Sequence, residues 1–332
     1  MKVSIKDIAD ELQLSKATIS WILSGQGKAK GFSETTIKRV QEYAASVGYR
    51  PNKLARSLSM GSSQMIGLIV PYLGDTFYAH LAEAIEIEAM KYNYSLVVAN
   101  SVGDGAKEDE LINNMRSMQM DGIVLATNRL SNIGITGMID DNYPFVLIDR
   151  YFPELESNFV LVNNHGACHD MVYAMKEKGA KCIAFITADY YLYVMQERME
   201  GYRQGVKELG LSKNPSLEVL VDRDSYKTDI ITKLDKLFQE VPEVDGFFFA
   251  THYLAMEAIR YFIAHGIDYR KFTLGCFHET DGLDVLAPNM LISRMRVQEM
   301  GEQAIRIVIQ NIKNKDEKPP LEHLVIENEL RV

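Results

Sequence analysis

The chain has 332 residues, of which 47% are apolar and 24% are charged, and its formal net charge at pH 7 is −9. This composition excludes a disordered chain, a collagen-like chain and a disulfide scaffold. At roughly 100–200 residues per domain, the length predicts two or three domains, each large enough to bury a core.

The cysteines and the chain start indicate a compartment. Cys168, Cys182 and Cys276 lie too far apart for a CxxC pair, which fits a reducing cytoplasm. Met1 and Lys2 are not followed by the apolar stretch of a signal peptide. Because no apolar run approaches the ~18 residues of a membrane span, we expect a cytoplasmic protein.

Charge is divided unevenly along the chain. Residues 1–61 hold ten Lys or Arg and five Asp or Glu, so this segment carries +5 and the remainder carries −14. A small basic segment attached to an acidic body suggests that the segment binds a polyanion. A solvated basic surface without a partner is the alternative interpretation.

Residues 1–49 predict three short helices. Ser4 is a suitable N-cap for the first, with Asp7 at the reciprocal capping-box position. Ser15 caps a second helix over about residues 16–23, and Ser33 caps a third that ends at Gly48. A helix, a tight turn and a second short helix in a basic segment predict a helix-turn-helix.

The second helix has two distinct faces. Ile19, Ile22 and Leu23 fall on one face, which should pack inward. The opposite face holds Ala17, Trp21 and Ser24, with Lys16 at the N-terminal end. This outer face is therefore free to enter a major groove, although a generic three-helix module shares the pattern.

Residues 50–64 predict a linker with a short helix. Pro51 disfavours helix in the residue before it, and Asn52 is a suitable cap for a helix over residues 53–60. A helix of eight residues is not stable alone in water. The apolar face of Leu54, Ala55 and Leu58 therefore requires a partner.

From residue 65 onward, strand-like and helix-like segments alternate in two series. Strands are expected at 65–70, 95–99, 122–126, 145–148 and 159–162, and then at 182–186, 217–221, 246–249, 272–275 and 290–293. Helices such as 78–92, 106–118, 195–209, 228–240 and 297–314 separate them. The alternation predicts an α/β body with two similar lobes and parallel sheets. Ligands in such folds bind beyond the carboxyl ends of the strands, here between the lobes.

Motifs along essentially the whole chain resemble one protein family. They are Ile5-Lys6-Asp7-Ile8-Ala9, Ser15-Lys16-Ala17-Thr18-Ile19-Ser20, Tyr49-Arg50-Pro51-Asn52, Ala55-Arg56-Ser57-Leu58, Ile66-Gly67-Leu68-Ile69-Val70-Pro71, Asp121-Gly122-Ile123, Asp149-Arg150, Arg198-Met199-Glu200-Gly201-Tyr202 and Met300-Gly301. In this order they resemble the LacI/GalR family of bacterial transcription regulators.

The resemblance implies a domain plan and a function. It implies a helix-turn-helix head at 1–49, a hinge helix and linker at 50–64, and a periplasmic-binding-protein-like body at 65–332. The lobes of the body would cover 62–163 with 295–323, and 164–294 with the tail. The protein would be a homodimeric transcription regulator, a repressor or an activator with the repressor preferred, and not an enzyme. It would bind pseudo-palindromic double-stranded operator DNA and a small sugar or sugar-derived effector, without a cofactor.

The resemblance also implies DNA contacts. They fall on Ser4, Ser15, Lys16, Ala17, Thr18, Ser20, Trp21, Asn52, Ala55, Arg56 and Leu58. Leu58 would be a wedge inserted between base pairs from the minor groove. Trp21 stands where the family commonly has Arg or another polar residue, and an exposed indole would contact a base or phosphate. The alternative is that Trp21 folds back onto the core of the head.

Effector contacts are implied for eight residues: Phe77, Tyr78, Asp149, Arg150, Arg198, Arg223, His252 and His278. Phe77 and Tyr78 match an aromatic pair that stacks on the effector, the alternative being that they are core. Arg198 matches an effector-binding arginine, the alternative being a surface salt bridge. Asp149 and Arg150 follow a strand and are expected to face the cleft.

Departures from the family pattern suggest the chemistry of the effector. Thr251-His252 stands where the family usually has Asn-Asp, and His278-Glu279 stands where it has Asp-Asp. The resulting set is more basic than a neutral sugar requires, and guanidinium groups bind carboxylate or phosphate bidentately. We therefore predict an anionic sugar, such as a uronate or a sugar phosphate. Glu279 favours a neutral sugar instead, because its carboxylate can accept hydrogen bonds from sugar hydroxyls or neutralise a histidine.

Two other classes of protein fit the sequence less well than a regulator does. A carbohydrate-binding protein without DNA function does not explain the basic head. A Rossmann-type enzyme needs a glycine fingerprint, but Glu108 stands at the third glycine position after Gly103 and Gly105. His165 and His169 are four residues apart, and no third ligand follows locally, so no metal site is expected.

Overall fold

The computed structural model describes residues 3–49, 61–128, 130–188, 191–315, 317 and 319–332. The chain divides into two compact units, Met1–Ser63 and Gln64–Val332. The predicted linker helix at 53–60 lies outside the described residues.

The first unit contains the three helices expected from the sequence. They are α1 (Ile5–Leu12), α2 (Lys16–Leu23) and α3 (Glu34–Ser46). The capping box of α1 is present, since the Ser4 backbone N–H donates to Asp7 Oδ2 at 2.8 Å and the Asp7 N–H donates to Ser4 Oγ at 3.3 Å. Apolar residues from all three helices, including Ile8, Ile19 and Val40, are fully buried together.

The second unit begins with the N-terminal lobe. Its elements are β1 (Met65–Val70), α4 (Thr76–Lys91), β2 (Ser95–Asn100), α5 (Gly105–Ser117), β3 (Gly122–Leu125), α6 (Ile133–Asp140), β4 (Phe145–Ile148) and β5 (Phe159–Val162). They are completed by α12 (Val297–Lys313) and β11 (His323–Ile326) from the end of the chain. The six strands form a parallel sheet in the order β11-β5-β4-β3-β1-β2.

The C-terminal lobe contains α7 (Asn164–Glu177), β6 (Ile183–Thr187), α8 (Tyr193–Glu208), β7 (Glu218–Leu220), α9 (Tyr226–Glu240), β8 (Gly246–Phe249), α10 (His252–Ala264), β9 (Thr273–Phe277), α11 (Leu283–Leu286), β10 (Leu291–Arg294) and β12 (Glu329–Arg331). Short 3-10 turns span Pro215–Leu217 and Tyr269–Lys271. Its sheet has the order β12-β10-β9-β8-β6-β7, and only β12 runs antiparallel to its neighbour.

Helices cover both faces of each sheet, as parallel sheets require. In the N-terminal lobe, α4 and α12 pack on one face, and α5 and α6 pack on the other. In the C-terminal lobe, α7 and α8 cover one face, and α9 and α10 cover the other. The two lobes predicted from the alternating pattern are therefore present.

The chain crosses between the lobes three times, and the crossings are tied to one another. Asn163, at the first crossing, donates from Nδ2 to both oxygens of Glu327 at the third, at 3.1 and 3.0 Å. Asn328 donates from Nδ2 to Ser293 Oγ, near the second, at 2.9 Å. The N-terminal lobe extends to Ile326 rather than ending near residue 323, because β11 adds an edge strand that the sequence analysis did not predict.

Candidate DNA-reading surface and effector cavity

The outer face of α2 is exposed in the first unit. Lys16, Ala17, Ser20 and Trp21 are exposed, and Thr18 is half-buried. Ser15 caps the helix by accepting a hydrogen bond from the Thr18 backbone N–H at 3.0 Å. Ser4 has the same capping role in α1 and is also exposed. Helix α2 carries no acidic side chain, so its outer face suits a polyanion.

Trp21 is partly accessible, as contact with DNA requires, and partly packed on the head, as the alternative requires. Its side chain is 39% exposed, so it does not join the buried core of the head. The ring nevertheless stacks on Phe32, with centroids 6.3 Å apart, and Lys30 Nζ lies 5.2 Å from the ring centroid. One indole face is thus held by protein, and the rest remains accessible. Asn52, Ala55, Arg56 and Leu58 lie outside the described residues.

In the second unit, side chains from both lobes enclose a cavity beyond the carboxyl ends of the strands. We call it the interlobe cavity. It is lined by Tyr72, Asp75, Phe77, Tyr78, Asp149, Arg150, Val194, Met195, Arg198, Arg223, Thr251, His252, Tyr253, Phe277, His278 and Met295. All eight predicted effector-binding residues are in this set. The structure thus brings together residues that are far apart in the sequence.

The interlobe cavity is small, at about 60 Å³. A single water molecule needs roughly 10–15 Å³ on the same measure. The cavity therefore has space for a few waters and is smaller than a sugar ring with its hydroxyl groups.

One wall of the cavity is a buried polar network in the N-terminal lobe. Tyr78 donates from its hydroxyl to Asp149 Oδ2 at 2.7 Å, and Arg150 Nε lies 3.5 Å from the same oxygen. Asp149 follows β4 in the left-handed backbone region, with φ of 65°, which turns its side chain away from the sheet. Burial raises the pKa of Tyr78 well above its usual value, so its hydroxyl stays protonated as a donor.

Arg198 belongs to the floor of the cavity, on α8. It is 5% exposed and donates from Nε to Asn164 Oδ1 at 2.8 Å and from Nη1 to the Ala250 carbonyl at 2.7 Å. The guanidinium also lies 3.6 Å from the centroid of Phe277. The alternative of a surface salt bridge is therefore wrong. Burial lowers the pKa of Arg198 from its usual value.

His278 is a buried, neutral imidazole at the end of β9. Its Nδ1 accepts a hydrogen bond from the Met295 backbone N–H at 3.4 Å, and its ring lies edge-on to Phe77 with centroids 5.3 Å apart. Burial lowers the pKa of His278 to about 3, and the nearby positive charges of His252 and Arg198 act in the same direction. The ring proton is therefore on Nε2, which makes this atom a neutral donor.

Phe77 and Tyr78 lie at the start of α4 and pack against each other, with ring centroids 4.9 Å apart. Both are buried, as the core interpretation requires, and both also line the cavity. A place in the core and a place in the wall of the effector cavity are therefore compatible for this aromatic pair.

The cavity also contains a contact that the sequence analysis missed. Asp75 Oδ1, in the N-terminal lobe, lies 3.2 Å from His252 Nε2 in the C-terminal lobe. Outside the lining of the cavity, Thr76 Oγ1 and Thr280 Oγ1 form a second contact between the lobes, a hydrogen bond of 2.9 Å. In the sequence, Asp75 has only the pattern of an ordinary helix N-cap, so nothing marked it as a residue that contacts the other lobe.

His169 has only surface contacts. Its two ring nitrogens lie 2.8 Å from Glu208 Oε2 and 3.0 Å from Asp170 Oδ1. Among the described residues, no group of three or more His, Cys, Asp or Glu is arranged to hold a metal ion. Within the same residues, no helix is long and apolar enough to span a membrane.

The two lobes, three crossings and interlobe cavity define a two-lobed ligand-binding protein. Residues 66–316 match a family model described as a periplasmic binding protein domain. The chain belongs to this domain family and to the LacI/GalR family of bacterial transcription regulators. It is a regulator of transcription.

Two curated relatives and one solved structure illustrate the relationship. The catabolite control protein A of Priestia megaterium is 28% identical over 315 residues, which cover 93% of this chain and 92% of that protein. The ribose operon repressor of Halalkalibacterium halodurans is 26% identical over 318 residues, covering 94% and 91%. The lac repressor dimer bound to operator and an anti-inducer is 15% identical, with a TM-score of 0.84, covering 100% and 98%.

Proposed function

We propose that this chain binds operator DNA as a homodimer and that a small anionic sugar, bound in the interlobe cavity, controls its DNA affinity. Residues 1–49 would read the DNA, residues 50–64 would form the hinge, and residues 65–332 would bind the effector and the partner subunit. Two heads related by a twofold axis require a pseudo-palindromic operator.

The head has the surface that DNA reading needs. An exposed face of α2 begins with Lys16 and continues through Ser20 and Trp21, on a segment whose net charge is +5. Its polar and aromatic side chains suit base edges and phosphates, and Lys16 suits a phosphate. Leu58 in the hinge would insert between central base pairs.

The composition of the cavity wall carries the proposal of an anionic effector. Among the residues that the structure describes, three arginines, Arg150, Arg198 and Arg223, line the cavity together with two carboxylates, Asp75 and Asp149. A carboxylate or phosphate on the effector would neutralise the excess positive charge. Asp149 and Tyr78 would bind sugar hydroxyls.

Selection from a random pool of DNA duplexes tests the DNA-binding part. The full chain should enrich an inverted repeat. Lys16→Ala should then weaken binding to that repeat. It should also reduce the slope of log K against log salt by about one, because one phosphate contact is lost. Lys236→Ala is the matched control, because it removes the same charge from an exposed helix of the second unit. Equal effects of the two variants would contradict this assignment.

A thermal-shift screen of sugars, sugar acids and sugar phosphates tests the effector part, because a ligand that binds the folded state raises Tm. Anionic sugars should stabilise the protein, and their affinity should fall as salt rises. Arg198→Ala should weaken them more than His278→Ala, because a charged donor makes the stronger hydrogen bond. Tight binding of a neutral sugar, insensitive to salt and to loss of His278, would contradict an anionic effector.

A further inference from the structure

The interlobe cavity contains a carboxylate from the protein itself at a position built for an anion. Asp75 caps α4 by accepting a hydrogen bond from the Phe77 backbone N–H at 2.9 Å, and the same oxygen lies 3.2 Å from His252 Nε2 in the other lobe. Burial opposes ionisation, yet the hydrogen bond from His252 and the charges of His252 and Arg223 hold the pKa of Asp75 below its usual value. Asp75 is thus an anion in contact with the opposite lobe.

The partner of Asp75 lies at a helix N-terminus with an unused donor beside it. His252 is the first residue of α10, a helix of 13 residues with no acidic side chain in its first turn. Thr251, the N-cap, makes no side-chain capping bond. It is 8% exposed and lines the cavity, and its Oγ1 has no hydrogen-bond partner among the described residues. The uncapped N-terminus and this buried hydroxyl both favour a negatively charged oxygen.

Arg223 supplies a fixed positive charge next to the same place. Its guanidinium lies 4.3 Å from the ring centroid of Tyr253, 4.5 Å from that of Tyr72 and 5.7 Å from that of Tyr226. Cation–π contacts on several rings hold a guanidinium in position. The charge of Arg223 also acts on Asp75, so the arginine and the His252 imidazole both act on one carboxylate.

The other two arginines of the cavity wall make contacts elsewhere in it. Arg198 donates to Asn164 and to the Ala250 carbonyl, and Arg150 lies beside Asp149. An anionic group that entered the cavity near His252 and Arg223 would meet the Asp75 carboxylate, which already lies there.

We propose that Asp75 occupies the anion-binding part of its own interlobe cavity, and that the charged group of the effector binds by displacing the Asp75 carboxylate from His252. This inference rests on the proposed function and specifies where the charge of the effector binds. Asp75 holds the lobes together when the effector is absent. The effector's carboxylate or phosphate replaces Asp75 as the partner of His252 and of the Arg223 charge, and it accepts a new hydrogen bond from the Thr251 hydroxyl.

Inorganic phosphate is a suitable probe, because it tests the anion subsite without knowledge of the sugar. The dependence of Tm on phosphate concentration gives an apparent Kd for the full chain, with sodium chloride keeping the ionic strength constant. Asp75→Asn removes the competing charge and retains the N-cap, since Asn and Asp cap helices equally well. We expect this variant to bind phosphate about tenfold to a hundredfold more tightly than the wild type, the range of a charge-assisted hydrogen bond.

Two variants serve as controls for this experiment. Thr280→Val removes the uncharged contact between the lobes, to Thr76, and should leave the Kd for phosphate within about twofold of the wild type. Combining His252→Ala with Asp75→Asn should abolish the gain in phosphate affinity. Because His252 is not in the head, this loss would exclude the basic head as the source of the gain.

Three results would overturn the inference. They are an unchanged Kd in Asp75→Asn, an equal gain in Thr280→Val, and a gain that survives the loss of His252. The duplex selection and the sugar screen do not depend on Asp75, so failure here is distinguishable from failure of the proposed function.

Discussion

Replacing Arg198 by alanine tests whether this buried guanidinium supports the fold as well as the interlobe cavity. Its two acceptors, Asn164 Oδ1 and the Ala250 carbonyl, are buried with it. Leaving a buried acceptor without its donor costs about 1–3 kcal/mol. Burial lowers the pKa of Arg198, so the variant also recovers part of the cost of desolvating a charge. The net loss in free energy of unfolding should be about 2–4 kcal/mol.

Arg203→Ala is the matched control in the same helix. The Arg203 side chain is 42% exposed and pairs with Glu218 and Glu200 on the surface, and exposed ion pairs contribute at most about 1 kcal/mol. Equilibrium urea unfolding, followed by circular dichroism without added ligand, should therefore rank the loss for Arg198→Ala above that for Arg203→Ala. An unchanged free energy of unfolding for Arg198→Ala, or a loss no larger than the control's, would refute this reasoning.

Four further changes have expected outcomes. Operator DNA should change the emission of Trp21, the only tryptophan, and an unchanged spectrum at saturating operator would place the indole away from the DNA. Leu58→Ala should abolish specific operator binding in a gel shift and leave effector affinity intact. Gly201→Ala should lower the free energy of unfolding by about 3 kcal/mol, because the new Cβ would clash with the His165 carbonyl oxygen on the neighbouring helix. A midpoint of urea unfolding equal to that of the wild type would contradict this contact. Burial raises the pKa of Glu108 from 4.5 to about 7, so the folded state holds this proton more tightly than the unfolded state does. The free energy of unfolding should therefore fall by up to about 3 kcal/mol as pH rises from 4.5 to 7. The fall should be smaller in Glu108→Gln, and an equal pH dependence of the two proteins would argue against the shift.

Local patterns were sufficient to predict most of the fold. The serine caps at Ser4, Ser15 and Ser33 start the three head helices as expected, because capping depends on residues close in sequence. The central strands are continuous apolar runs, as buried parallel strands must be. β11 and β12 were not predicted, because these edge strands are only four and three residues long and are partly exposed.

The interlobe cavity was predictable only in part. Resemblance to the family located Asp149, Arg198 and His278, and the sequence allowed Arg198 to be either a ligand contact or a surface ion pair. Burial and hydrogen-bond partners depend on elements far apart in the chain, so the pattern around Arg198 did not reveal its contacts with Asn164 and Ala250. The contact of Asp75 with His252 was missed for the same reason, since it joins residues from different lobes.

Operator affinity measured with and without the stabilising ligand tests the central claim most directly. The duplex enriched by the full chain would be titrated by fluorescence anisotropy, alone and at saturating concentration of the ligand that raises Tm most. Because allosteric coupling typically changes affinity about 5–150-fold, the account predicts a change in operator Kd of at least fivefold. A ligand that occupies the interlobe cavity and leaves the operator Kd unchanged would contradict it.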